Sequence, residues 1–132
     1  MEIEAEVAFS GAGPMPAFRQ AVVRYRPNAE AVARIADHCA HRRGTDRAGF
    51  LRALAEQSDR LFAEQFGVAP GPGLSEAMRA YLARPGEIKL AIRPEGEVSP
   101  MMFAAGAGRS LADWQRITGL ELYLNGVLVE DL

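Results

Sequence analysis

The chain opens on a strict alternation: Ile3, Ala5, Val7 and Phe9 take one parity, Glu2, Glu4 and Glu6 the other. A period of two is the signature of a half-buried β-strand. SGAGPMP, residues 10–16, interrupts it, because proline and glycine do not continue a ladder. Residues 18–26, FRQAVVRYR, then predict a second strand, with Ala21, Val23 and Tyr25 on the face opposite Val22, Arg24 and Arg26. Antiparallel pairing of the two strands sets glutamates across from arginines, each pair contributing about 0.2–1 kcal/mol.

After Pro27 the period changes. Asn28 suits an N-cap, and Val32, Ile35, Ala36, Cys39 and Ala40 form a helical stripe that ends at Gly44. Thr45 or Asp46 caps the next helix, whose apolar seam runs through Phe50, Leu51, Leu54, Ser58, Leu61, Phe62 and Phe66 to Gly67. VAPGPG reads as a rigid break. Ser75 is expected to cap a short third helix carrying Ala77, Met78, Tyr81 and Leu82, stopped by Pro85-Gly86.

From Glu87 to Arg93 the alternation returns, with Ile88, Leu90 and Ile92 inward and Glu87, Lys89 and Arg93 outward. PEGEVSP predicts a loop, and MMFAA a single helical turn. Ser110 and Asp113 have the spacing of a capping box, opening a helix through Ile117 that Gly119 closes. In LELYLNGVLVEDL, Asn125-Gly126 lies between two β-rich runs, the strongest short-range hairpin signal because both turn positions need positive φ. The order ββααα-β-α-ββ predicts one α+β domain over residues 1–132: an antiparallel sheet with helices clustered on one face.

Composition narrows the function. At 132 residues the chain can bury a core without disulfides, and its single cysteine, Cys39, can neither form an internal disulfide nor build a thiolate cage. The net charge of −2 offers no global attraction to nucleic acid. Eight arginines between Arg19 and Arg52 face only Glu30, Asp37 and Asp46. Arginine replaces lysine almost throughout the chain, however, so this reads as a codon habit. No apolar run reaches the roughly 20 residues of a membrane helix. The acidic start MEIEAEVAF does not read as a secretory signal, so the chain as written is not expected to be exported on its own.

Candidate chemistry is sparse. FAAGAGRSLADW, residues 103–114, suggests a phosphate loop, but Phe103 stands where a Walker-type loop needs glycine, and Arg109 where it needs lysine. It reads as a glycine turn before a capped helix, with Arg109 and Ser110 as a possible anion contact. In DHCAHRR, residues 37–43, Asp37 and His41 are four apart and His38 and His41 three apart, which allows a two-ligand metal contact, yet no third and fourth ligand appears elsewhere. Basic groups in a last helical turn complement the helix dipole, and Cys39 reads as a small hydrophobe on the buried stripe. Glu95 with Glu97, or Glu130 with Asp131, would form a carboxylate dyad only on loops or at the terminus, with no pocket to tune it. Trp114 reads as packing. Met101, Met102 and Phe103 are consecutive apolar side chains able to line an adaptable groove. No catalytic residue, metal site or cofactor is therefore assigned.

The order RYRPNAEAV, a long amphipathic helix, AMRAYLARPGEIKLAIRPEGEVSP and LADWQRITGLELYLNG resembles, over about residues 20–126, a module of large uncharacterised bacterial cell-envelope proteins of the AsmA-like kind. Tyr81-Leu82, Pro85, Ile88, Leu90 and Pro94 stand in its FL-x-x-P-x-x-L-x-I-x-x-x-P passage, and Asn125 closes its last strand. The resemblance implies a non-enzymatic envelope module touching a protein partner or lipid. The chain departs from it in being short and without an export signal. The location implied is thus the periplasm or envelope for a fragment of a longer exported protein, and the cytoplasm for a complete chain.

Two readings follow. In the first, the chain is an interaction module that docks a partner, or a second copy, through an edge strand at either terminus. In the second, it binds a small apolar or anionic ligand with Met101, Met102, Phe103, Arg109 and Ser110. An apolar pocket converging on Arg109 would favour the second.

Overall fold

β1 (Glu2–Ser10) and β2 (Ala17–Arg26) pair antiparallel, with Glu2 opposite Arg26, Glu4 opposite Arg24 and Val7 opposite Ala21. The structure is a computed structural model and describes residues 1–11, 17–95 and 110–132. A register shift after Ala8 sets Phe9 against Phe18, their rings edge-on at 6.2 Å. β3 (Ile88–Ile92), β4 (Leu120–Leu124) and β5 (Val127–Leu128) complete a five-stranded antiparallel meander in the order β1-β2-β3-β4-β5. Four helices are described: α1 (Ala29–Arg42), α2 (Arg47–Phe66), α3 (Pro72–Ala83) and α4 (Leu111–Thr118). This is the α+β architecture expected from the changes of period.

Three helices start where their caps predict. The Asn28, Asp46 and Ser110 side chains accept from the Ala31, Gly49 and Asp113 N–H groups at 3.0, 2.7 and 3.2 Å, satisfying donors that the helix itself leaves free. α3 departs from expectation. It begins at Pro72, with Gly71 as the capping residue and no side-chain cap, and Ser75 lies buried inside the helix. The hydroxyl of Ser75 instead donates to the Asp59 carboxylate of α2 at 2.7 Å.

The free N–H groups of α3 are met from the far end of the sequence. Gly71 donates to the Leu132 carbonyl, and Gly73 and Leu74 donate to that of Asp131 at 3.1 and 3.3 Å. The same junction forms the core, in which buried Leu74, Val129 and Leu132 gather Phe62, Ala77, Met78, Leu111, Leu120, Leu122 and Leu124 around them. The hairpin tip is fastened to the linker leaving α3. Asn125 and Gly126 take positive φ, the Asn125 side-chain amide donates to the Arg84 carbonyl at 2.9 Å, and its N–H to that of Glu87 at 2.8 Å.

The helices form a chain of contacts: α1 packs on α2, α2 on α3, and α3 and α4 on β4. Among the described residues no helix packs extensively on β1 or β2. Among the described residues, the helices that reach the sheet lie on one face of it, as expected, and at its β4 end. Three expected core positions are therefore exposed: Ile35 on α1, and Leu61 and Phe66 on α2. Cys39, expected on a buried stripe, is only half-buried. On the sheet, Val22 is buried and Val23 exposed, the reverse of the amphipathic expectation.

Two predictions follow. A Cβ on Gly73 would land on the Glu130 carbonyl oxygen, so Gly73→Ala forces apart the backbone contact that joins helices to sheet. It is expected to cost about 1–3 kcal/mol or more in urea unfolding, where a neutral result would contradict this junction. The second concerns Asp37 on α1, whose carboxylate takes two hydrogen bonds from Arg47 on α2 at 2.7 and 2.5 Å. The hydrogen bond with Arg47 holds the Asp37 carboxyl below the usual aspartate range. A depressed native value adds stability above the unfolded value of about 3.9 and loses it as pH falls through the native one. Asp37→Asn should therefore lower the melting temperature at neutral pH, and the gap to the parent should close in acid. A gap constant with pH would contradict the pair.

Candidate functional site

The two faces of the sheet differ in how completely their side chains are satisfied. On the polar face, charges pair from strand to strand: Arg24 with Glu4 at 3.6 Å, and Arg26 with Glu2 at 3.3 Å and with Glu87 at 2.7 Å. Farther along, Lys89 sits 4.5 Å from the Tyr123 ring centroid. The Tyr123 hydroxyl donates to Glu121 at 2.5 Å, a bond to a neighbouring carboxylate that raises its pKa, with burial adding to the shift. Arg93 approaches Glu121 at 3.9 Å. Each exposed pair is weak. Together they surround buried Val22 and Ala91 on the same face and leave few unmet charges among the described residues.

The apolar face is met only in part. Leu120, Leu122 and Leu124 of β4 lie under the helices, packed on the buried cluster. Across β3 and β2 the same parity leads to Val23 and then to Ile3, Val7 and Phe9 on β1. These four side chains are 37, 62, 51 and 60 % exposed. They form a contiguous apolar half-face at one sheet edge, the kind of surface a soluble monomer rarely presents without use. Among the described residues β1 is also an edge strand, with β2 as its only neighbour in the sheet. Its unpaired backbone groups offer a template for another strand.

The opposite edge is short, and its hairpin is exposed at Val127 and Leu128, which are 69 and 44 % accessible. β5 is two residues long, and the chain beyond it turns into the core with Val129 and Leu132 buried. Between α3 and the β4–β5 hairpin lies an open cleft of about 580 Å3 lined by Ala77, Tyr81, Leu124, Asn125 and Val129. Its described rim carries Glu76, Glu130 and Asp131 and no cationic side chain, which does not suit an anion.

Of the residues proposed from sequence as a ligand site, Met101, Met102, Phe103 and Arg109 lie outside the described residues, as does Glu97 of the carboxylate pair. Ser110 is described, and its hydroxyl is committed to the α4 cap. Asp37 is engaged with Arg47, while His38 and His41 are exposed on α1. Among the described residues no three His, Cys, Asp or Glu side chains group to hold a metal ion, and no helix is long and apolar enough to cross a membrane. The edge site was present in the first nine residues as alternation, but alternation alone does not say which half of a sheet its helices leave bare.

If this half-face is bare, Val7→Thr should change stability by no more than about 0.5 kcal/mol. Leu122→Ala, beneath the helices, should cost about 2–4 kcal/mol. Urea unfolding of both variants checks this, and equal costs would show that β1 is covered.

No curated protein and no solved structure matches the chain. A family model described as "Uncharacterized protein" matches residues 4–122, from within β1 to within β4, and the chain belongs to that family.

Proposed function

We propose that the chain is a non-enzymatic interaction module that docks a protein partner on the β1 side of its sheet. The observation that carries this reading is the exposed row of Ile3, Val7 and Phe9 on a strand with one edge unpaired among the described residues. Burying such a row gives the non-directional part of an affinity, about 25 cal/mol per Å2 of apolar surface removed from water. Strand pairing supplies direction and register. A protein suits this edge better than a lipid surface. Lipid offers no partners for edge N–H and C=O groups, and Glu2, Glu4 and Glu6 on the same strand are repelled by anionic headgroups. The envelope setting implied by the sequence resemblance belongs to the same reading.

Phe9 and Phe66 provide a matched test, being 60 and 66 % exposed and lying on the sheet edge and on α2 respectively. A photo-crosslinking benzoylphenylalanine is placed at each position in turn, in the cell that makes the protein. Position 9 should give one discrete heavier species, identified by mass spectrometry as a protein adduct, and position 66 none. No adduct at position 9, or the same smear at both, would contradict the reading.

A further inference from the structure

We infer that the occupant of the β1 edge is an extended segment in which basic and apolar residues alternate, added antiparallel as a sixth strand. This rests on the docking reading above and specifies the partner's chemistry. The pleat of β1 separates two rows: Glu2, Glu4 and Glu6 on the polar face, and Ile3, Ala5, Val7 and Phe9 on the other. A strand laid along the outer edge meets both rows at once. Its alternate residues must therefore answer a line of carboxylates on one side and an apolar half-face on the other.

The molecule already contains an example of what β1 accepts. On its inner edge, β2 sets Arg26 and Arg24 against Glu2 and Glu4, with Tyr25 and Val23 against Ile3 and Ala5. The charged pairs close to 3.3 and 3.6 Å. The inner strand does not exhaust the carboxylates. Glu6 lies opposite Val22 and has no ion pair among the described residues, while Glu2 and Glu4 remain 67 and 56 % exposed despite theirs. The outer edge thus presents three carboxylates in period two, and opposite charges directly across a ladder stabilise it.

The same charges disfavour a second copy. Antiparallel self-pairing that keeps the apolar rows together also keeps the glutamate rows together. In the fully overlapped register, Glu6 of one copy faces Glu6 of the other, and shorter overlaps still gather six carboxylates on one face. Like charges across a ladder destabilise it, a recognised way of keeping edges from pairing with themselves.

The test uses three acetylated synthetic peptides of the length of β1, nine residues. One alternates valine and arginine, one has glutamate in place of arginine, and one has the first composition with its alternation scrambled. Binding is read by fluorescence anisotropy with the purified chain and located by amide NMR shifts. The alternating basic peptide should bind about tenfold more tightly than either control, weaken with salt, and shift amides along β1. Glu6→Lys, which breaks no ion pair among the described residues, should weaken it about fivefold. If the glutamate peptide binds β1 as well or better, the basic specification is overturned. If the scrambled peptide binds equally, or no peptide shifts β1, strand addition is overturned. A salt-sensitive dimer removed by Val7→Lys would assign the edge to a second copy and overturn the inference as well. In each failure, a persisting crosslink at position 9 keeps the docking reading, and its absence removes both.

Discussion

Among the described residues, helices α1 to α3 are held to the sheet by one junction, where the chain after β5 runs into the start of α3. The backbone carbonyls of Asp131 and Leu132 accept from the first N–H groups of α3, while Leu74, Val129 and Leu132 bury their side chains in the same place. The two contributions depend on each other. The hydrogen bonds satisfy donors that would otherwise face a dry interior, and the apolar side chains keep water from competing for them. Gly71 and Gly73 allow the approach, since a side chain at either would meet the Glu130–Leu132 backbone.

The rest of the architecture follows from where that junction lies. It anchors α3 beside β4, α2 rests on α3, and α1 rests on α2, so the helical layer extends outward from one end of the sheet. β1 and β2 are held by their ladder, by cross-strand ion pairs and by the Phe9–Phe18 contact, and among the described residues no helix packs extensively on them. The polar face answers its own charges, and the apolar face answers its own surface only near β4. The unmet part is therefore a row of side chains plus a strand edge. That combination suits the recognition of another chain better than the enclosure of a small ligand.

Local signals in the sequence carried the elements and some of their ends. The parity of residues 2–9, the Asn28, Asp46 and Ser110 caps and the Asn125-Gly126 turn all act within a few residues of themselves, and each is where its pattern puts it. What failed was non-local. Ser75 has the chemistry of a cap, but the donors at the start of α3 are met by carbonyls 57 or more positions away, which freed Ser75 to bind Asp59. The exposure of Val23, Ile35, Leu61 and Phe66 likewise depends on how far the helical layer reaches. Periodicity reports which residues share a face, and tertiary packing decides whether that face is covered. The edge proposed for docking was thus legible as a strand and not as a site.

The claim on which the account turns is that the apolar face of the sheet is covered at β4 and bare at β1. Hydroxyl-radical footprinting of the purified chain measures this directly, because side-chain oxidation follows solvent contact. After correction for intrinsic reactivity, Ile3, Val7 and Phe9 should be oxidised several times faster than Leu120, Leu122 and Leu124, whose face they share. Comparable protection of the two groups would mean that β1 is already covered within the chain, and would contradict both the fold's asymmetry and the docking edge built on it.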